Sequence, residues 1–198
     1  MKWFEKAADL GNESAVGWIE YMYENGYVVE DHVMDWKDAN LEEVMRDITG
    51  ITDRDIMLSD VQGYMGFDLS YGYISDISVL SELTNLKSLS LNGNNISDIS
   101  ALSGLTNLEW IDLSGNNISD ISALSGLTNL EWLALDGNNI SDISTLSGLT
   151  NLKTLYLETN NISDINALSG LTNLQELYLY GNPITDYSSI SFVPTRDY

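Results

Sequence analysis

A 22-residue repeat constrains the fold of this chain more than any other feature of its sequence. The segment 96–110, ISDISALSGLTNLEW, recurs letter for letter at 118–132, an offset of 22 residues. The same period gives six units, which begin at Gly63, Asn85, Asn107, Asn129, Asn151 and Asn173. A unit of this length cannot bury a hydrophobic face alone, so such units are stable only in a stack. The repeat therefore predicts a solenoid over residues 63–198.

Each unit contains one short strand with a buried face. In the second unit Leu89 and Leu91 alternate with the polar Ser88 and Ser90, which is the two-residue period of a half-buried strand. Stacking places these strands about 4.8 Å apart in a parallel sheet of about six strands. The other Leu and Ile positions of each unit then fill the interior of the coil.

An asparagine follows the strand in five units: Asn94, Asn116, Asn138, Asn160 and Asn182. Where a chain turns out of a buried strand, its peptide groups lose their ladder partners. A carboxamide can both donate to and accept from such groups. We interpret this column as a structural hydrogen-bond ladder.

An aspartate recurs in all six units: Asp76, Asp98, Asp120, Asp142, Asp164 and Asp186. Between the apolar positions of I-S-D-I-S, its carboxylate suits a cap on the following turn, on the convex, solvated side. Six regularly spaced carboxylates would also attract cations, but a calcium loop needs oxygen ligands that converge from one segment. Capping is the preferred interpretation, and weak calcium association is the alternative.

The pattern LxxLxLxxNxIxDIxxLxxL resembles the 22-residue leucine-rich repeats of bacterial internalins over residues 63–194. This resemblance implies an α/β repeat fold: a right-handed solenoid with a parallel concave sheet and short turns or 3₁₀ segments on the convex side. It also implies a partner, usually a protein, on the concave face. Gly72 replaces the first ladder asparagine, and Tyr187, Phe192 and Pro194 disturb the last unit. No polar capping helix follows, so a continuation of the natural chain beyond Tyr198 is an open expectation.

The first 62 residues differ in composition from the repeat, since five of the six Met residues lie there. Residues 1–37, with predicted helices at 2–10 and 12–24, are similar to part of a Sel-one-like helical repeat. Residues 40–50 predict an amphipathic helix that starts at Asn40 and stops at Gly50, and Ser59-Asp60 predicts another capped turn. Because an open solenoid end exposes its leucines and a strand edge, we expect 38–62 to form an α-helical N-terminal cap.

The composition excludes several function classes. With 8 basic and 30 acidic residues, the net charge of −22 disfavours nucleic acids and anionic membrane surfaces. The lack of Cys excludes disulfides and a cysteine nucleophile. No signal peptide or membrane span is recognisable, so the compartment stays open: cytoplasmic, or secreted or cell-surface if targeting segments were trimmed. The single His32 has no catalytic partner by spacing, no phosphate-binding loop occurs, and we predict a monomeric non-enzyme without cofactor or metal.

The repeats vary at the outward-facing strand positions, where aromatic residues collect on the later coils. The predicted partner-binding residues are Trp110, Trp132, Tyr156, Tyr178 and Tyr180, with the flanking acids Asp112, Asp136, Glu158 and Glu176. An exposed aromatic cluster rimmed by charge is typical of a binding surface, and the acids favour a basic protein partner. The alternatives are a carbohydrate on the same aromatic face, and a structural or engineered scaffold in which stacked rings only stabilise the sheet.

Overall fold

A computed structural model describes residues 31–197 of the chain. Residues Met34–Tyr198 form one compact unit. The predicted Sel-one-like segment 1–37, including both of its helices, lies almost entirely outside the described residues.

Seven parallel strands form one open sheet in chain order within the described residues. They are β1 (Gly66–Asp68), β2 (Ser88–Ser90), β3 (Trp110–Asp112), β4 (Trp132–Ala134), β5 (Thr154–Tyr156), β6 (Glu176–Tyr178) and β7 (Thr195–Asp197). From β1 to β6 the register is one repeat, so Ser88 pairs with Trp110 and Trp110 with Trp132. Equivalent residues of the repeat therefore lie side by side across the sheet.

Each coil returns through a short 3₁₀ helix on the side opposite the sheet. These helices are Ser78–Glu82, Ser100–Gly104, Ser122–Gly126, Ser144–Gly148, Asn166–Gly170 and Ser188–Ile190. The predicted aspartate caps are confirmed, because in every coil the Asp Oδ1 accepts the backbone N–H two residues later at 2.8 Å. That hydrogen bond lowers the pKa of Asp98, Asp120, Asp142 and Asp186, so these convex carboxylates stay ionised.

The asparagine ladder is confirmed. Asn138 Nδ2 donates to Leu135 O and to Leu113 O of the preceding coil, both at 3.0 Å, and its Oδ1 accepts from Ile118 N at 3.0 Å. The same pattern recurs at Asn94, Asn116, Asn160 and Asn182. The sequence had not predicted a second, exposed asparagine column, in which Asn107 Nδ2 donates to Thr84 O at 2.9 Å and Asn129 Nδ2 to Thr106 O at 2.8 Å.

Within residues 31–197, two helices precede the first coil: α1 (Ala39–Thr49) and α2 (Leu58–Val61). The predicted start of α1 at Asn40 is wrong, since Asp38 is the N-cap and Asn40 lies inside the helix. The predicted end is right, because Gly50 adopts φ +70°, a conformation that glycine tolerates. Leu41 and Met45 of α1 are fully buried in the hydrophobic core.

The far end of the sheet differs from the prediction of about six strands. β7 begins at Thr195, 19 residues after the start of β6, so the last coil is three residues shorter than the others, and its 3₁₀ helix has three residues instead of five. Arg196 occupies the central position that Leu177 fills in β6. Its guanidinium donates to Ser191 O at 2.9 Å and Val193 O at 3.0 Å, so the last layer ends on a polar side chain.

Candidate binding surface

The outward residues of the strands form a regular grid on the sheet face. Neighbouring strands lie about 4.8 Å apart, and successive outward positions along a strand lie roughly 6.7 Å apart. In β3 these outward positions carry Trp110 and Asp112, and Ser114 lies two residues after the end of the strand. Each repeat therefore presents three side chains to the same face.

Four aromatic rings form a continuous row, here named the aromatic ridge: Trp110, Trp132, Tyr156 and Tyr178. The centroids of Trp110 and Trp132 are 4.5 Å apart with ring planes at 13°, and those of Tyr156 and Tyr178 are 4.5 Å apart at 2°. Trp132 and Tyr156 join the two stacks at 5.4 Å and 49°. The ridge crosses β3 to β6 and shifts from the first outward position to the second between β4 and β5.

The ridge side chains are less exposed than the sequence predicted. All four are partly buried, because each ring covers a face of its neighbour. Tyr180, predicted in the same patch, is 62% exposed and has no ring contact among the described residues. The structure thus joins four of the five predicted aromatic residues and leaves Tyr180 beside them.

A hydrogen-bonded row of polar side chains runs beside the ridge. The Ser114 hydroxyl lies 2.5 Å from Asp112 Oδ1 and 2.8 Å from Asp136 Oδ1. Asn92 Nδ2 donates to Asp112 Oδ2 at 3.1 Å and to Ser90 Oγ at 3.3 Å. The two predicted acids Asp112 and Asp136 are therefore held in place by neighbours that the sequence interpretation had not selected.

The row continues to the first strand through hydroxyl groups. Ser90 and Ser70 share a hydrogen bond at 2.7 Å, and Ser70 Oγ donates to Asp68 Oδ1 at 2.6 Å. These residues occupy the same repeat columns as the predicted acids. A reading of whole columns, including small polar residues, would have found them.

Glu158 lies where acidic groups crowd together. Burial raises the pKa of this carboxyl, and the charges of Asp136 and Asp197 raise it further. The ionised form of Glu158 is therefore destabilised in the isolated protein. Burial also raises the pKa of Tyr156, with added contributions from Tyr178 and Glu176, so the Tyr156 hydroxyl stays protonated at neutral pH.

Glu158→Gln is expected to raise Tm at neutral pH by roughly 1–2 °C, because it removes a carboxylate from this crowded site. The folded pKa lies above the unfolded value, so the destabilising charge is present above the folded pKa and disappears as pH falls through it. The increase in Tm over the wild type should shrink toward zero near pH 4, as measured in thermal melts followed by circular dichroism. In the control Glu131→Gln, loss of the 2.6 Å contact with Lys153 Nζ should give no gain. A lower Tm for Glu158→Gln would contradict this interpretation.

No basic residue occupies an outward position of the seven strands. The nearest lysines in the chain precede their strands, and each is paired: Lys87 Nζ with Glu109 Oε1 at 2.7 Å and Lys153 Nζ with Glu131 Oε2 at 2.6 Å. The acidic residues on the outward face of the sheet are therefore not neutralised by a Lys or Arg on that same face.

Two exposed tyrosines on the first coil were missed by the sequence interpretation. Tyr71 and Tyr73 are 74% and 76% exposed, and both have φ +56°. Tyr71 takes the place of the repeat glycine, and its ring lies against Gly93, where an added Cβ would come within 2.4 Å of ring carbons. Glycine at position 93 is therefore needed both for its φ of +67° and for this close approach.

The other surface features offer little chemistry. A groove of about 490 Å³ opens between adjacent aspartate caps, lined by Asp98, Asp120 and serines whose backbone groups those caps already bind. Over residues 31–197, no three His, Asp or Glu side chains are grouped so that they could hold a metal ion. No helix in that range is both long and apolar enough to cross a bilayer.

The stacked coils, the asparagine ladder and the open parallel sheet define a leucine-rich repeat solenoid. Family models agree: a leucine rich repeat model matches residues 84–140, and a two-copy leucine rich repeat model matches 128–170 and 150–192. These matches together cover more than half of the chain. The protein belongs to the leucine-rich repeat family, and its repeats are of the internalin type.

Solved bacterial structures share this fold. An internalin (inlF) from Listeria monocytogenes is 35% identical with a TM-score of 0.78, over 81% of this chain and 48% of its own. Internalin C2 (inlC2) from the same species is 25% identical with a TM-score of 0.58, over 86% of this chain and 98% of its own. A leucine-rich repeat protein of Leptospira interrogans is 27% identical with a TM-score of 0.66, over 70% of this chain and 38% of its own.

The chain spans about half the length of the inlF internalin. Comparison with curated protein sequences gives no match. Leucine-rich repeat proteins typically mediate protein–protein interactions, and internalin-like members are generally non-catalytic. Protein binding is therefore the class of function that the family supports.

Proposed function

We propose that this protein is a non-catalytic module that binds a basic protein partner through the aromatic ridge and the acids beside it. The aromatic ridge is the observation that carries the proposal. Trp and Tyr are the side chains most enriched at the energetic centres of interfaces. The repeat needs only small or polar residues at these positions, as Ser88 and Thr154 show in the same column.

The charge of the surface supports a basic partner. Asp112, Asp136, Glu158 and Glu176 flank the ridge, and the seven strands carry no outward Lys or Arg. A partner cation beside Glu158 would relieve the crowding that raises its pKa. Steering by these charges would speed association at low ionic strength and weaken as salt is added.

The stacking of the ridge disfavours the carbohydrate alternative. A sugar packs against an open aromatic face, but the inner rings Trp132 and Tyr156 have neighbours on both sides, which leaves a sugar only the outer faces of Trp110 and Tyr178. The chain is not a purely structural scaffold on this proposal, since a scaffold would have no need for unneutralised acids beside the rings.

The double substitution Trp110→Ala and Trp132→Ala is expected to abolish capture of the basic partner. Because the two rings are stacked and partly buried, we also expect a loss of about 1–3 kcal/mol in stability. Wild-type and variant proteins, both checked for folding by circular dichroism, are used for affinity capture from cell lysates with identification by mass spectrometry. Proteins lost with the variant should be enriched in high isoelectric points, and their capture should fall with salt.

Two outcomes would contradict the proposal. Equal capture by a folded variant would make the tryptophans structural, and ligands found only on a glycan array would favour the carbohydrate alternative. Glu43→Gln, an exposed charge removal on α1, serves as the control for non-specific charge effects.

A further inference from the structure

The two ends of the aromatic ridge differ from its middle. Among residues 31–197, the ring contact of Trp110 is with Trp132 alone, and that of Tyr178 is with Tyr156 alone. Within that range, one face of each terminal ring is therefore free of other rings. The middle rings, Trp132 and Tyr156, are each flanked on both sides.

The free face of Trp110 looks toward β2 and β1, where the side chains are small. Ser88 is its neighbour across the sheet, and Gly66 follows on β1. On β2 and β1, only a hydroxymethyl group and a hydrogen atom therefore lie in line with the indole. Asp112 lies two residues along β3, and Asp68 is exposed on β1, with no partner for its Oδ2 among the described residues.

The free face of Tyr178 looks toward the edge strand β7. Asp197 pairs with Tyr178 across the sheet, and Glu176 lies two residues before Tyr178 on the same strand. Each end of the ridge thus combines an open aromatic face with at least two carboxylates. A planar cation fits this combination, because a guanidinium stacks on an aromatic ring and donates in-plane hydrogen bonds to carboxylates.

The spacing between the ends limits what can occupy both. From Trp110 to Tyr178 the successive ring centroids are 4.5, 5.4 and 4.5 Å apart, so the two end rings are at most about 14 Å apart. One stacked group outside each ring extends this span to roughly 21 Å. An extended chain advances about 3.3 Å per residue, so six residues cover about 20 Å. An even separation also places both side chains on the same side of an extended segment.

We propose that the ridge binds an extended segment of its protein partner that carries two arginines six positions apart, one stacked on Trp110 and one on Tyr178. The inference rests on the proposed function and specifies the partner of the same surface. Asp68 and Asp112 bind the first guanidinium, and Glu176 and Asp197 bind the second. The segment between them crosses the edges of Trp132 and Tyr156.

Synthetic peptides test this directly. The probes carry two arginines in a serine background, separated by two, four, six, eight or ten positions, and a neutral fluorophore for fluorescence anisotropy at low salt. The tightest binding is expected at six positions, and a single-arginine peptide should bind about tenfold more weakly. Lysine in place of both arginines should weaken binding several-fold, because an ammonium cannot stack as a plane.

Matched variants separate the ends of the ridge from its middle. Trp110→Leu is compared with Trp132→Leu, and Tyr178→Leu with Tyr156→Leu, since each pair occupies one repeat column. Each end variant should bind the two-arginine peptide only as tightly as the wild type binds the single-arginine peptide. Each middle variant should lose less affinity for the two-arginine peptide. Circular dichroism confirms that all four variants are folded.

The outcomes distinguish this inference from the function on which it rests. No optimum at six positions, or a middle variant that costs as much as its end variant, overturns the two-arginine inference. If basic peptides still bind and need the ridge, the proposed function stands without it. If no peptide binds, or if the double tryptophan variant binds them as well as the wild type does, both are wrong.

Discussion

Asn138→Leu is expected to lower the free energy of unfolding by about 3 kcal/mol or more. The side chain is 7% exposed and bridges two coils, since it donates to Leu135 O and Leu113 O and accepts from Ile118 N. Leucine leaves the Ile118 N–H unpaired, at about 1–3 kcal/mol for a buried donor. It also removes one hydrogen bond, worth about 0.5–1.5 kcal/mol, from each of the two carbonyls, which keep their bonds from Asn116 Nδ2 and Asn160 Nδ2. In a chain of this size, the loss corresponds to a decrease in Tm of roughly 6–12 °C, measurable by calorimetry.

The next residue supplies a matched control. Asn139 has an exposed side chain, and its backbone N–H keeps its bond to Ile118 O at 2.8 Å whatever the side chain. Asn139→Leu should therefore change stability by no more than about 0.5 kcal/mol. Asn138→Asp, which keeps an acceptor and loses both donors, should be destabilised like Asn138→Leu. Equal melts for Asn138→Leu and Asn139→Leu would contradict the ladder.

The asparagine ladder could be predicted because the repeats of one chain can be aligned with one another, as homologous sequences would be. A residue that recurs at Asn94, Asn116 and Asn138 has the same surroundings in each coil, so one chemical argument covers the whole column. The aspartate caps were predicted for the same reason. Strand position, register and the parallel sheet also follow from the period, since stacking must place equivalent residues side by side.

The geometry of the candidate surface could not be predicted in this way. The columns placed Trp110, Trp132, Tyr156 and Tyr178 on one face, but ring stacking depends on side-chain rotamers, which the period does not determine. The sequence therefore did not predict that the rings bury one another, or that the end rings keep an open face while the middle rings do not. The four acids lie on the outward face as predicted, whereas Ser114, whose hydroxyl contacts both Asp112 and Asp136, was overlooked because a single hydroxyl carries little signal.

Both ends of the solenoid also lay beyond the reach of the repeat. The 22-residue period would start the last strand at residue 198, but the shortened last coil starts it three residues earlier, at Thr195. As a result, Arg196 occupies the central position of that strand. At the other end, Asp38 was not recognised because half of its partners are 37 and 38 residues away in sequence. Helix-cap patterns are local, and such contacts are not.

Asp38 connects α1 to the first coil through one buried carboxylate. Its Oδ1 accepts from Asn40 N at 2.9 Å and Leu41 N at 3.2 Å, which caps the helix. Its Oδ2 accepts from Ser75 N at 2.7 Å, Ser75 Oγ at 2.9 Å and Asp76 N at 3.1 Å. We propose that this carboxylate holds residues 38–62 as the N-terminal cap of the solenoid.

Asp38→Ala is expected to cost about 3 kcal/mol, because it removes a helix cap and leaves buried donors without a charged acceptor. Asp38→Asn separates the two roles. Asparagine caps helices well, but its Nδ2 would meet the N–H groups of Ser75 and Asp76, so we expect a loss of about 2 kcal/mol. Asp47→Asn removes an exposed charge from the same helix and should have little effect on chemical denaturation.

The pH dependence distinguishes the charged clamp from simple packing. Burial alone would raise the pKa of Asp38, but the hydrogen bonds from Ser75, Asp76 and Leu41 outweigh it and lower the pKa below its ordinary value. Because the folded pKa is the lower one, ionised Asp38 contributes its full stability above about pH 4, and the contribution is lost as pH falls through the folded pKa. The stability difference between wild type and Asp38→Asn should therefore narrow below about pH 4 in urea titrations. A difference that stays constant as pH falls would show that packing around residue 38, and not its charge, holds α1 to the first coil.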